Sequence, residues 1–454
     1  MKNIVLIGLP GSGKTTLAKE LAKKLNREFI DLDDLIEKKS GTSITDIFAK
    51  LGEPVFREME TQAVHEVANR EDIIIAAGGG TVLKEENMDL LCKNGIIVFL
   101  NRSPESIIKD IHADSRPLLK DDKEKLFTLH KERLALYQKY NDIEIVSDNT
   151  ISQTLSRLEK IAALDAGIEK KFAVIGTPID HSLSPNIHLP LLKRFYNDVR
   201  YTKVEIAKNE LPPWLKYVRQ ENVSGFNITM PHKEDIIPFL DHIDDEALKL
   251  HSVNTVINNN GILTGYNTDG GGFKLALATK GEDFINRHLV IIGSGGAAGT
   301  LALKAAKDGA KKLTILAIDE EKSNIIIKKA VQLNNAINAE YHSLTPHHLL
   351  QYCEGADILI NATPLGMTGI KEDFTDFTFL ETLKPTSLVC DLIYSPAHTN
   401  LLLEAKKLGL NTLGGIQMLI YQAILADNLF LGLEQNMAKA YAIVIKHLKG
   451  RVDL

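Results

Sequence analysis

Gly8-Leu9-Pro10-Gly11-Ser12-Gly13-Lys14-Thr15, with Thr16 behind it, follows the apolar run 4–7 and opens a helical pattern over residues 17–25. A glycine, four residues, then Gly-Lys-Thr between a strand and a helix is the pattern of a phosphate-binding loop. Its glycines let successive backbone N–H groups turn toward phosphate oxygens, at the positive end of the helix dipole. Gly11, Ser12, Gly13, Lys14, Thr15 and Thr16 are therefore expected around a nucleotide. Lys14 would reach the terminal phosphates, and Thr15 would offer its hydroxyl to Mg²⁺.

Outward from that loop, residues 1–165 alternate strand and helix, with short apolar strands at 4–7, 73–77, 96–100 and 143–146. This predicts a parallel sheet with helices on both faces, and ligands at the carboxyl ends of its strands. Three features fall there. Phe29-Ile30-Asp31-Leu32-Asp33-Asp34 holds two acids one residue apart; one can serve a metal's water shell and the other a substrate hydroxyl, or they can simply cap a helix. Ala76-Ala77-Gly78-Gly79-Gly80-Thr81 follows another strand, and three glycines in a row suit a backbone that a ligand touches closely. Arg57, Arg116 and Arg133 together can neutralise a carboxylate and a transferring phosphoryl group. Arg116-Pro117-Leu118-Leu119 lies in a charged stretch, 110–125, that reads as a cover.

The bulk properties narrow the partners. A chain of 454 residues should hold about three domains. With 44% hydrophobic and 25% charged residues it is ordinary globular material. A net charge of −6 gives no footprint for nucleic acid or anionic lipid, so the expected partners are small molecules. Cys92, Cys353 and Cys390 are far apart and form no CxxC pair, which fits a reducing compartment. No apolar stretch reaches membrane-spanning length and no signal peptide is visible, so a cytoplasmic location is expected.

A helix over 155–166 and a short join lead to a new strand at 172–175. His181-Ser182-Leu183-Ser184-Pro185 follows it; two serines flanking one residue can offer paired hydroxyls to a carboxylate, or cap a helix. Gly225-Phe226-Asn227-Ile228-Thr229-Met230-Pro231-His232-Lys233, Ser252-Val253-Asn254-Thr255 and Gly265-Tyr266-Asn267-Thr268-Asp269 each place amides and hydroxyls after an apolar run. Lys233 and Asp269 are the strongly charged pair among these turns. A lysine beside a carboxylate can deliver a proton while a carbonyl takes up hydride. Strand 288–292, then Gly293-Ser294-Gly295-Gly296-Ala297, a helix to 309 and a strand over 313–318 form the signature turn of a dinucleotide fold. Asp319 follows, where an acid would accept from an adenosine ribose hydroxyl. Strands 358–360 and 388–391 extend this sheet, ending near Thr363 and Leu392-Ile393-Tyr394.

The loop, Asp31-x-Asp33, Phe56-Arg57, the glycine triplet, Arg116-Pro117-Leu118-Leu119 and Arg133 resemble shikimate kinase across about the first 160 residues. The resemblance implies ATP and Mg²⁺ at the loop and shikimate held by Arg57, Arg133, Gly78, Gly79 and Gly80. It assigns Asp33 to the substrate hydroxyls as a general base, Asp31 and Thr15 to the metal, and Lys14 and Arg116 to catalysis, Arg116 as a lid residue over ATP. Lys109 stands where many members have an adenine-stacking arginine, and Leu134-Ala135-Leu136-Tyr137 lacks the usual proline.

Residues 171–454 resemble shikimate dehydrogenase. This implies that Ser182 and Ser184 bind the substrate carboxylate and that Asn227, Thr229, Asn254, Tyr394 and Gln422 bind its hydroxyls and carbonyl. Lys233 and Asp269 would be catalytic. Gly293, Ser294, Gly295, Gly296, Ala297, Asp319, Thr363, Leu392, Gly415 and Met418 would hold NAD(P)H. Members that use NADP carry an arginine after the second strand of the dinucleotide fold; here Ala317-Ile318-Asp319 puts a carboxylate there, which favours NAD over NADP. The implied organisation is a P-loop kinase at 1–165, a join at 166–171, an α/β substrate domain at 172–275 completed by helices about 425–454, and a Rossmann domain at 276–424. The combined expectation is reduction of 3-dehydroshikimate to shikimate and its phosphorylation to shikimate 3-phosphate. A dehydrogenase acting also on quinate, or a metabolite-sensing regulator built from these modules, are the alternatives. The sequence does not define the oligomeric state.

Overall fold

The computed structural model describes residues 1–110, 123–146, 150–165 and 167–451. The chain divides into two compact units. The first comprises Met1–Lys170 with two later segments, Leu191–Val199 and Leu431–Ile443; the second comprises Lys171–Pro190, Arg200–Phe430 and Val444–Leu454. The fold class is α/β, as the alternation of apolar runs requires.

Among the described residues the first unit is built on five strands: β1 (Asn3–Ile7), β2 (Glu28–Asp31), β3 (Ile73–Ala76), β4 (Gly95–Asn101) and β5 (Ile143–Val146). They lie in the order β2-β3-β1-β4-β5 and every pairing is parallel. β1, β3 and β4 are apolar without alternation because both faces are covered. Val5, Ile7, Ile75, Ile97 and Phe99 pack on one side with Phe56 and Tyr137, while Ile4, Leu6, Ile74 and Val98 are equally buried on the other.

One buried carboxylate gathers the unit's distant segments. Asp142 accepts from Ile97 N at 2.8 Å and pairs with Arg194 and Lys439, each at 2.7 Å. Burial disfavours its charge, but the two cations more than offset that and hold its pKa below the usual carboxylate range.

The second unit contains two six-stranded sheets. The first includes β6 (Lys170–Gly176), β7 (Val199–Glu205), β8 (Gly225–Ile228), β9 (His242–Ile243), β10 (Thr255–Asn259) and β11 (Ile262–Tyr266), in the order β7-β6-β8-β10-β11-β9. It is mixed: β6 and β8 are parallel, whereas β10 runs antiparallel to both β8 and β11. The other sheet has β12 (His288–Ile292), β13 (Lys312–Ala317), β14 (Asn338–Ser343), β15 (Ile358–Asn361), β16 (Leu388–Asp391) and β17 (Asn411–Leu413). Its order is β14-β13-β12-β15-β16-β17, parallel throughout. Side chains alternate between two cores: Leu289, Ile291, Ile315 and Ile360 on one face, Val290, Ile292, Leu316 and Leu359 on the other. Among the described residues no helix is long and apolar enough to cross a membrane.

Candidate active sites

In the first unit the chain leaves β1 through Gly8, Gly11 and Gly13, at φ 148°, 85° and 94°, conformations that side chains rarely tolerate. A Cβ on Gly8 would also meet the Leu100 carbonyl oxygen at 2.8 Å. The loop wraps Lys14, whose buried Nζ donates to the carbonyls of Gly8 and Leu9 at 2.9 Å. Among the described residues the buried Ser12 Oγ has no hydrogen-bond partner, and the helix Lys14–Leu25 starts without a side-chain cap. This orphaned donor and these N–H groups fit phosphate oxygens. Thr16 is exposed on the first turn.

Thr15 Oγ1 donates to Asp31 Oδ2 at 2.7 Å. A hydroxyl beside a carboxylate is a hard oxygen set of the kind Mg²⁺ takes, so these residues fit the ion. Of the readings weighed from the sequence, the capping one is seen directly: the other oxygen of Asp31 caps the helix Leu32–Ser40 by accepting from Asp33 N at 2.9 Å. Burial first, and then the charge of Asp31, push the Asp33 carboxyl up to about 6 against the pull of Lys14.

The glycine triplet presses against these groups. A Cβ on Gly78 would lie 2.8 Å from Glu60 Oε1 and 2.9 Å from Asp33 Oδ1. On Gly79 it would meet the Pro10 ring at 2.9 Å, and on Gly80 the Arg57 guanidinium at 2.4 Å. Arg57 is forked between Glu53 and Glu60, at 2.9 Å each. Burial opposes its charge, yet the two carboxylates raise its pKa further. Tyr137 Oη donates to the Gly79 carbonyl at 2.6 Å, and the nearby Arg133, whose buried Nε has no partner among the described residues, acts against the ordinary effect of burial on this phenol. Burial pushes the Tyr137 phenol up to about 12, so it stays a donor. Arg116 and most of the expected cover lie outside the described residues.

Sequence reasoning missed Glu60, Thr81 and Tyr137. Glu60 is buried, accepts from Thr81 Oγ1 at 2.8 Å and anchors Arg57. It stands three residues after Arg57 on the helix Glu53–Ala68, a spacing that could have flagged it.

In the second unit Lys233 Nζ lies 2.5 Å from Asp269 Oδ2, at the start of the helix Asp269–Ala278. Asn254 Nδ2 donates to Asp269 Oδ1 at 2.8 Å and to Thr268 Oγ1 at 2.9 Å, and reaches Gln422 Oε1 at 3.3 Å. Asn267 Oδ1 accepts from Asp269 N at 3.0 Å. Lys233 is thus seated on a carboxylate whose other oxygen already accepts from Asn254. The amide of Asn227 joins the same cluster through Thr255 Oγ1 at 3.0 Å. Ser182 Oγ donates to Ser184 Oγ at 3.1 Å and also accepts from Ser184 N at 3.3 Å, at the start of the helix Ser184–Leu192. Thr229 fills the space above Gly176, where its Cγ2 would lie 2.4 Å from an added Cβ. Tyr394 is half-buried and makes none of the hydrogen bonds given above for this cluster.

The dinucleotide turn separates two kinds of glycine. Gly293 has φ 110° and sits against Thr363, whose Cγ2 would lie 3.0 Å from an added Cβ. Around the exposed Gly295 and Gly296 a Cβ would meet nothing within 4 Å. No protein neighbour requires glycine there; an open cradle at the start of the helix Gly296–Lys307 fits a pyrophosphate. Ser294 and Ala297 flank it. Gly415 is fixed by packing, since its Cβ would fall 2.1 Å from the Leu392 carbonyl oxygen, and Met418 packs on the sheet's core. Asp319 is not the end of β13, which stops at Ala317; it caps the helix Glu320–Leu333 and pairs with Lys322 at 3.0 Å.

A phosphate loop over a parallel sheet, and a second dinucleotide-type sheet beside a lysine–carboxylate pair, define an α/β enzyme with two nucleotide sites. Residues 10–163 match the shikimate kinase family, and residues 174–256 match the shikimate dehydrogenase substrate binding domain. The chain is 36% identical over 274 residues to shikimate dehydrogenase (NADP(+)) of Alkaliphilus metalliredigens, covering 59% of this chain and 93% of that one. The structure of shikimate 5-dehydrogenase from Listeria monocytogenes, in complex with shikimate and NAD, matches with a TM-score of 0.56 at 30% identity, over 62% of this chain and 98% of that one. Quinate dehydrogenase from Corynebacterium glutamicum, in complex with NAD, matches with a TM-score of 0.56 at 26% identity, over 61% and 99%. The chain belongs to the shikimate dehydrogenase family and carries a shikimate kinase domain ahead of that part. It is both a kinase and an oxidoreductase, an enzyme of the shikimate pathway.

Proposed function

We propose that the second unit reduces 3-dehydroshikimate to shikimate and that the first transfers the γ-phosphoryl group of ATP to the 3-hydroxyl of shikimate. The observation that carries this is the 2.5 Å contact of Lys233 with Asp269 inside a shell of Asn254, Thr268 and Gln422. In this division of labour residues 1–165 are the kinase, 172–275 with the helices about 425–454 bind the dehydrogenase substrate, and 276–424 bind the nicotinamide cofactor.

In the dehydrogenase, Ser182 and Ser184 donate to the substrate carboxylate, and Asn227, Thr229, Asn254, Tyr394 and Gln422 orient its ring. NAD(P)H, when bound, supplies the hydride. Lys233 gives its proton to the carbonyl oxygen, and Asp269 holds the ammonium in line for that transfer. In the kinase, Arg57 and Arg133 bind the shikimate carboxylate, and Asp33 accepts the proton of the attacking hydroxyl. Lys14 and Arg116 offset charge on the transferring group, so positioning and electrostatics carry the catalysis. Thr15 and Asp31 would hold Mg²⁺, which supplies further positive charge there.

Asp319 supports NAD over NADP, because a 2′-phosphate would meet a carboxylate where a cation is needed. The relatives named for NADP(+) make this a property to measure: NADPH favoured more than tenfold in kcat/KM would refute it. The main test supplies 3-dehydroshikimate, ATP, Mg²⁺ and either reduced cofactor. Cofactor oxidation should come first and shikimate 3-phosphate should accumulate; without ATP the sequence should stop at shikimate. No cofactor oxidation, or no phosphorylated product, sinks the proposal.

A further inference from the structure

The serines and the amides proposed to grip opposite ends of the dehydrogenase substrate stand on different elements, yet one phenol joins them. Tyr201 on β7 donates from Oη to Asn227 Oδ1 at 2.6 Å, and the Ser184 side chain lies near enough to its phenol to oppose the upward shift that burial gives it. With Oδ1 so occupied, Asn227 must point Nδ2 at Thr255 Oγ1, 3.0 Å away, and toward the Asn254 carbonyl at 3.4 Å. Tyr201 on one side and the acceptor-only Asn254 carbonyl on the other together fix which way this amide faces.

Tyr201 is itself braced. His188 stacks on its ring with centroids 4.6 Å apart and planes 6° from parallel. The His188 Nδ1 lies 2.7 Å from Asp427 Oδ1, with side-chain exposures of 1% and 0%. Asp427 Oδ2 is buried without a partner. His188 lies one turn after Ser184 on the helix Ser184–Leu192, and Asp427 one turn and a half after Gln422 on the helix Gly415–Leu431. Burying an acid and an imidazole, one oxygen unsatisfied, costs free energy that apolar side chains at the same positions would not. A brace between the helices of Ser184 and Gln422 gives that cost a use.

We propose that Tyr201, held by the buried His188–Asp427 pair, is a positioning residue that sets the spacing and orientation of Ser184 and Asn227 for substrate. This rests on the dehydrogenase reading above. Neither Lys233 nor Asp269 is among the hydrogen-bond partners of Tyr201, so its effect falls on substrate binding rather than on proton delivery.

The test uses the full-length chain. Tyr201→Phe should raise KM for 3-dehydroshikimate about tenfold or more while kcat stays within about threefold. The KM for the reduced cofactor should not move. His188→Gln and Asp427→Asn should shift KM in the same direction. Added to Tyr201→Phe, either should contribute less than its separate factor, because all three act on one spacing. An unchanged KM in Tyr201→Phe, or factors that simply multiply, overturns the proposal. Ser184→Ala separates the two levels of inference. If Ser184→Ala raises KM and Tyr201→Phe does not, the positioning role alone is wrong. If Ser184→Ala has no effect, the carboxylate-binding reading falls and the positioning role falls with it.

Discussion

The two candidate cradles would hold the same small hydroxylated acid by opposite means. In the first unit Arg57, Arg133, Lys14, Asp33 and Glu60 crowd around a glycine triplet, and charge is everywhere. In the second unit four amides, Asn227, Asn254, Asn267 and Gln422, and two threonines, Thr255 and Thr268, form a neutral network reaching one ion pair, Lys233–Asp269. The chemistry explains the contrast. Phosphoryl transfer brings several negative charges together and needs cations to offset them. Carbonyl reduction needs one proton and a fixed orientation, for which neutral donors suffice.

The largest expected effect is at the lone pair of the second cradle. Lys233→Ala should lower kcat for 3-dehydroshikimate reduction by about 10²–10⁴-fold, read as steady-state cofactor oxidation. Intact oxidation in this variant would remove the proton donor from the mechanism.

Next comes the charge lattice of the first cradle. Arg57→Lys keeps the charge but loses the fork between Glu53 and Glu60. The kcat/KM for shikimate phosphorylation should fall about 10–100-fold. An Arg57→Lys enzyme of wild-type activity would mean that only net charge matters there.

The pH dependence should sharpen the contrast. Because Asp33 is pushed up to about 6, the kinase kcat/KM should rise with pH through that value as the base ionises. Asp33→Asn should abolish this limb along with most of the activity. The sign for stability is opposite. Between the ordinary Asp pKa and about 6 the folded chain holds a proton that the unfolded chain has lost, so the stability tied to Asp33 falls as pH rises. Thermal unfolding of Asp33→Asn should therefore exceed wild type at pH 7 and converge with it near pH 4.

The smallest effect is ionic. Raising salt from about 0.05 to 0.5 M should raise KM for shikimate in the kinase several-fold and KM for 3-dehydroshikimate in the dehydrogenase less than about twofold. Equal sensitivity would mean that the two cradles do not differ as their residues suggest.

Much of this was legible where backbone chemistry is local. The phosphate loop, the glycine triplet and the Gly293 turn announce themselves because few residues tolerate those conformations or close approaches. The serine pair and the run to Lys233 are short segments between predictable strands. Glu60, Thr81 and Tyr137 in one unit, and Tyr201, His188 and Asp427 in the other, were not legible. Glu60 has one near partner, Arg57 three residues earlier; for the others the partner lies far along the chain, as Gly79 lies from Tyr137 and Asp427 from His188. Asp319 shows the converse. The sequence places it at a strand end facing a ribose; the strand stops at Ala317, and what the structure shows Asp319 doing is capping the next helix.

By itself the sequence determined an α/β chain with a phosphate-loop turn and a dinucleotide-type turn, because turn geometry and hydrophobic period are properties of neighbouring residues. Only the tertiary structure decided which acid seats which base, that Asn227 faces Thr255, and that a buried histidine–aspartate pair stands behind Tyr201. Those contacts join strands and helices separated by up to hundreds of residues, and only packing brings them within hydrogen-bond distance.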